Sequence, residues 1–80
     1  MKVMSKTTNL SPKEVIDRAE AFFKGKHGLN MLESNHTCCA YFQNEIGFVS
    51  VRVVPSGKHN EAILETREWD YQIQEFLKTL

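Results

Sequence analysis

The residues of this chain best suited to chemistry stand in "HTCCAYFQ", residues 36 to 43, where His36 is followed closely by the adjacent pair Cys38 and Cys39. Thiolates and imidazoles are the usual ligands of structural zinc, and His27 and His59 would have to complete such a site. Structural zinc sites draw their ligands in pairs from tight knuckles, and neither a CxxC nor an HxxxH spacing occurs here. The two-residue gap of a dithiol redox motif is missing as well. The stretch alternates as a β-strand does, and successive strand side chains point to opposite faces. Cys38 is therefore expected inward as a small apolar residue and Cys39 outward, with both thiols free and no metal bound. A nucleophilic role would rest on Cys39 with His36 as its base, but the sequence supplies no orienting group and no oxyanion hole.

Two further groups invite the same scrutiny. Glu61, Glu65 and Glu68 could form an acid–base set, yet they fall at outward positions of a strand and at a helix start, where solvated charges are expected. The segment "ETREWDYQ", residues 65 to 72, concentrates Arg67, Trp69 and Tyr71. Trp69 reads as a core anchor whose indole N–H finds an acceptor at the helix start, with Arg67 paired to Glu65 or Asp70. The functional alternative places Arg67, Trp69 and Tyr71 on the rim of a pocket between the second helix and the sheet. No glycine-rich phosphate loop is present. Neither catalytic residues nor a cofactor is implied.

The elements that must position these side chains follow from periodicity. Residues 1–10 are polar and aperiodic, and are expected as a flexible tail before a single domain over residues 11–80. In "LSPKEV" Ser11 can cap a helix, Pro12 suits its first position, and Glu14 completes a capping box, with Leu10 and Val15 placed for a hydrophobic staple. Val15, Ile16, Ala19, Phe22 and Phe23 line one face of a helix running from about Pro12 to Lys24, which ends at the glycines of "KGKHG". The middle of the chain reads as strands: a weak one in "GLNMLES", a better one in "TCCAYFQ", the best in "GFVSVRVV", and a last one in "EAILETR". Pro55 is expected to stop the third of these, before a turn at "PSGKHN". Trp69, Ile73, Phe76, Leu77 and Leu80 then restore a helical period.

The fold class that results is α+β. A two-layer sandwich is expected, with an antiparallel meander of three to four strands flanked in sequence by an N-terminal and a C-terminal helix, both packed on one face. The inward set is Cys38, Ala40 and Phe42, then Val49, Val51 and Val53, then Ala62 and Leu64. A slip of one residue in the middle strands would bring Cys39 and Tyr41 inward instead.

Helix, three strands and helix over residues 11 to 80 resembles the double-stranded RNA-binding domain in element order. The resemblance implies a lysine cluster opening the second helix to grip phosphates. Glu68 and Asp70 stand there, and the turn at "PSGKHN" adds only Lys58 and His59. With ten charges of each sign and none in excess, the chain has no bulk attraction for phosphate or for anionic membranes, so nucleic acid is not an expected partner. No run of residues is long and apolar enough to span a membrane, and "MKVMSKTTN" lacks the apolar core of a signal peptide. A cytoplasmic location is expected.

A sheet with two helices on one face leaves the other face open. Tyr41, Phe48 and Ile63 are expected there among Ser50, Arg52 and Glu65, a mixture of aromatic and polar residues typical of protein interfaces. The expected function is non-enzymatic association, as a homodimer or a subunit of an assembly, through Tyr41, Phe48, Ser50, Arg52 and Ile63. The alternative is a small-ligand binder or minor enzyme using a cleft between helices and sheet.

Overall fold

In a computed structural model that describes all 80 residues, Lys2–Thr8 form the first strand, β1, of a single five-stranded antiparallel sheet. The remaining strands are β2 (Asn30–Asn35), β3 (Cys39–Gln43), β4 (Phe48–Ser56) and β5 (His59–Arg67), in the spatial order β1-β5-β4-β3-β2. Helix α1 (Pro12–Ala19) lies between β1 and β2, and α2 (Asp70–Leu77) follows β5. The α+β class and the antiparallel sheet match expectation, but the element order does not. A fifth strand precedes the first helix; the four strands between the two helices lie within the expected three to four, but they exceed the three of the RNA-binding resemblance.

The expected tail over residues 1–10 is thus corrected. Met4, Lys6 and Thr8 lie opposite Leu64, Ala62 and Asn60 on β5, and Val3, Ser5 and Thr7 alternate with them. The strand is weakly apolar in itself, and the partner that satisfies its backbone lies some sixty residues away, which no local pattern can reveal. It is fastened to the helix layer as well. Lys6 Nζ donates to the carbonyl of Leu77 at 3.1 Å, placing a cation at the C-terminal end of α2 where the helix dipole favours it.

Helix α1 begins as its sequence dictates. The Ser11 hydroxyl accepts from the Glu14 N–H at 3.2 Å and the Glu14 carboxylate accepts from the Ser11 N–H at 3.4 Å, closing the capping box. Beyond Ala19 the helix widens into a π-helical extension over Glu20–Lys26. The wider turn brings the consecutive Phe22 and Phe23 both against Phe76, with ring centroids 5.5 and 5.2 Å away. Gly28, with φ of 74°, then turns the chain into β2 in a conformation that residues with a Cβ rarely adopt.

Both helices pack on the same face of the sheet. Val15, Ile16, Ala19 and Phe23 from the first helix meet Ile73, Phe76 and Leu77 from α2 over a floor of Ala40, Phe42, Val49, Val51, Val53, Ala62 and Leu64, all buried. Ala40 and Phe42 pair with Val51 and Val49, so the middle strands take the register that points Tyr41 outward. Two details differ from the sequence reading. Pro55 does not end β4, which continues to Ser56 because Gly57 and Lys58 alone make the hairpin turn to β5. Glu68, expected in the first turn of the second helix, adopts a left-handed φ of 78° and forms the corner before it.

Candidate functional site

The face of the sheet away from the helices is built by the residues out of phase with the valine row. Val49, Val51 and Val53 point into the core, so Phe48, Ser50, Arg52 and Val54 of β4 emerge on the other side. On β3 the residues in step with them are Cys39, Tyr41 and Gln43, and on β5 they are Glu61, Ile63, Glu65 and Arg67. Tyr41, Phe48, Ser50, Arg52 and Ile63 therefore share one face. Tyr41 and Phe48 are diagonal neighbours whose rings stack at 5.7 Å between centroids and 16° from parallel. Ser50 lies opposite Tyr41 on one side and Glu65 on the other, while Arg52 lies between Cys39 and Ile63. Val3 of β1, 59% exposed, extends the apolar part of the face beside Glu65.

The charges of β4 and β5 on this face are two of each sign, Arg52 and Arg67 against Glu61 and Glu65. None is paired within the chain, whose ion pairs join Lys13 to Asp17, Lys24 to Glu20, Lys26 to Glu75 and His36 to Asp17. The expected pairing of Arg67 with Glu65 or Asp70 is thus not made.

The cysteines depart from expectation. Cys38 and Cys39 are joined to each other in a vicinal disulfide, and no free thiol remains. The argument for divergent side chains fails because the strand starts at Cys39, two residues later than the expected start at Thr37. Residues 36 to 38 form the turn between β2 and β3, so Cys38 is not a rung of the ladder, and its side chain is free of the alternation that governs Cys39 onward. Hydrogen bonds fix this turn: the Cys38 N–H donates to the Asn35 carbonyl at 3.0 Å, and the Cys38 carbonyl accepts from the Val53 N–H at 2.7 Å. The Asn35 side chain accepts from the N–H and hydroxyl of Thr37 at 2.9 and 2.6 Å, the Asx arrangement that favours such a turn. Both cysteines are half-buried.

The histidines do not converge with the sulfurs. His36 reaches across to α1, its Nδ1 3.2 Å from Asp17. The Lys13 ammonium donates to the same Asp17 carboxylate at 2.7 Å and holds it below its ordinary value, with the nearby His36 adding in the same direction. His27 packs among aromatic rings, 4.8 Å from Phe22 and 5.9 Å from Trp69 between centroids. His59 sits at the start of β5, and no three His, Cys, Asp or Glu side chains gather as a metal would require.

Arg67, Trp69 and Tyr71 lie in different surroundings. Arg67 borders a polar depression with Met1, Lys2, Thr66, Glu68 and Asp70. Trp69 is half-buried against the core and His27, and its indole N–H has no acceptor, contrary to the expectation at a helix start. Tyr71 is 69% exposed. A shallow groove of about 320 Å³ that sequence reasoning missed runs between the π-helical extension and α2, floored by Phe22 and Phe76 and bordered by Arg18 and Lys26. The irregular helix that shapes it has no sequence signature beyond the adjacent phenylalanines. No protein-family model, curated protein or solved structure matches this chain.

Proposed function

We propose that this protein works by association, as a homodimer formed through the open face of its sheet. The observation that carries the reading is the Tyr41–Phe48 stack, a pair of half-exposed aromatic rings on a face that no helix covers. Aromatic rings at the centre of a patch with a polar rim are the usual anchors of protein interfaces. A second copy is the occupant that the charges favour. Arg52, Arg67, Glu61 and Glu65 balance in sign and are unpaired within the chain, so a two-fold axis through the face lets each arginine approach a glutamate of the other copy. A chain of this length also buries a smaller share of its surface than a larger domain does, and covering the face adds apolar burial. The compartment proposed for the dimer is the cytoplasm.

Light scattering coupled to size-exclusion chromatography over a concentration series is the direct test. The mass should rise from that of one chain to that of two, and the transition should move to higher concentration with added salt, because the rim charges are screened. A chain that stays monomeric at the highest concentration overturns the reading.

A second reading, small-molecule binding, is favoured by one observation, the groove between the two helical segments with Phe22 and Phe76 at its floor and cationic Arg18 and Lys26 at its border. An apolar body with an anionic group would fit that chemistry. A thermal-shift screen of medium-chain carboxylates distinguishes it from association, since binding raises the melting temperature without changing the mass of the particle.

A further inference from the structure

The structure assigns a thiol–disulfide exchange site to the turn between β2 and β3, with Cys38 as the sulfur that is attacked and Cys39 as the sulfur that leaves. The two sulfurs are bonded to each other, and both residues are half-buried at the tip of a hairpin, so an incoming thiolate can reach them. Their surroundings are unequal. Cys39 is the first rung of β3 and lies directly across from Arg52 on β4, on the open face. Arg52 is exposed and takes no ion pair within the chain. Directly opposed residues hold their Cβ atoms about 5 Å apart, within reach of a guanidinium on a flexible stem. A cation at that distance stabilises a thiolate, and the sulfur that is stabilised as thiolate leaves faster in exchange. Cys38 lies in the turn, outside the ladder, with no cation opposite it.

The reductant required is a dithiol. One of its thiolates attacks Cys38 Sγ, the sulfur–sulfur bond breaks, and its electron pair passes to Cys39 Sγ, which departs as a thiolate beside Arg52. The second thiol of the reductant, deprotonated, attacks its own sulfur in the mixed disulfide and releases the Cys38 thiolate. The two protons that the dithiol gave up are taken by Cys38 and Cys39. Two electrons have moved, the protein disulfide has become two thiols, and the dithiol has become a disulfide. The reverse sequence, driven by a disulfide oxidant, closes the bond again. In a compartment held reducing by thiols such a bond is cycled rather than permanent.

Intact-mass measurement after alkylation under denaturing conditions reads the site on the full chain. Protein equilibrated in air should take no iodoacetamide, and the same protein treated with dithiothreitol should take two equivalents. Two equivalents without reductant overturn the proposal. The direction of attack is read by exposing dilute oxidised protein briefly to glutathione, quenching with acid, alkylating, and fragmenting the peptide between the two cysteines. Glutathione is expected on Cys38 and the alkyl group on Cys39, and the opposite distribution overturns the assignment of roles. Finally, Arg52→Gln should slow reduction roughly threefold or more at neutral pH and low salt, with Arg52→Lys restoring most of the rate. An unchanged rate in Arg52→Gln removes the arginine from the site, whereas a merely structural part for Arg52 would leave the lysine variant as slow as the glutamine one.

Discussion

The ring of Tyr41 on β3 stacks on that of Phe48 on β4, 5.7 Å between centroids, on the face of the sheet opposite the helices. Three residues further along β4 and on the other face, Val51 is buried in the core beneath the helix layer. The two positions separate association from folding. Phe48→Glu should leave a folded chain with native-like circular dichroism that no longer dimerises, while Val51→Glu, which buries a charge, should unfold it. In a two-fold interface the Phe48 substitution acts from both copies, which amplifies its effect. A Phe48→Glu chain that still forms dimers would remove this face as the interface.

Helix α1 depends on the oxygen that caps it. Ser11→Ala removes the acceptor of the Glu14 N–H and one half of the capping box, and should cost about 1 kcal/mol, read as a shifted urea midpoint with an unchanged slope. Superimposable melts would show that the cap contributes nothing.

Gly47 is demanded by a neighbour rather than by its own dihedral angles. A Cβ there would run into the carbonyl of Arg67, a backbone group that cannot rotate away. Gly47→Ala should therefore cost on the order of 1–3 kcal/mol by pushing apart the start of β4 and the end of β5. Gly57→Ala is the contrasting case, because its Cβ meets no atom but its φ is 62°, and the cost should be about 1 kcal/mol from the left-handed backbone alone. Thermal melts of the two variants test the difference, and a Gly47→Ala chain as stable as the parent contradicts the close approach.

The hydrogen bond from Lys13 depresses Asp17 below the ordinary carboxylate value of about 4. A carboxylate whose value is lower in the folded chain than in the unfolded one adds stability that is present above the unfolded value and lost as pH falls through the folded one. Asp17→Asn should accordingly lower the urea midpoint slightly at pH 7 and make no difference to it at strongly acid pH, where the parent carboxylate is protonated. Solvent screening keeps the effect small, since the pair is exposed. A gap between parent and variant that widens toward acid pH reverses the sign and contradicts the pairing.

Much of the architecture is written locally. The capping box at Ser11 and Glu14, the valine row of β4, the inward Ala40 and Phe42, and the apolar stripe of Ile73, Phe76 and Leu77 are all set by spacing and residue type, because each depends on neighbours within a few positions along the chain. Those same patterns place Tyr41, Phe48, Ser50, Arg52 and Ile63 on the open face. Tertiary structure decided what those patterns could not carry. Lys2–Thr8 became a strand only because β5 offers an unpaired edge to its backbone, and a pairing between residues so distant is invisible in either segment. Cys38 lies in the turn that the Asn35 carbonyl closes, one residue before the ladder of β3 begins, and there its sulfur is bonded to that of Cys39. The left-handed corner at Glu68 and the approach of Trp69 to His27, a residue more than forty positions earlier, likewise have no local signal, since a glutamate does not by itself favour a positive φ.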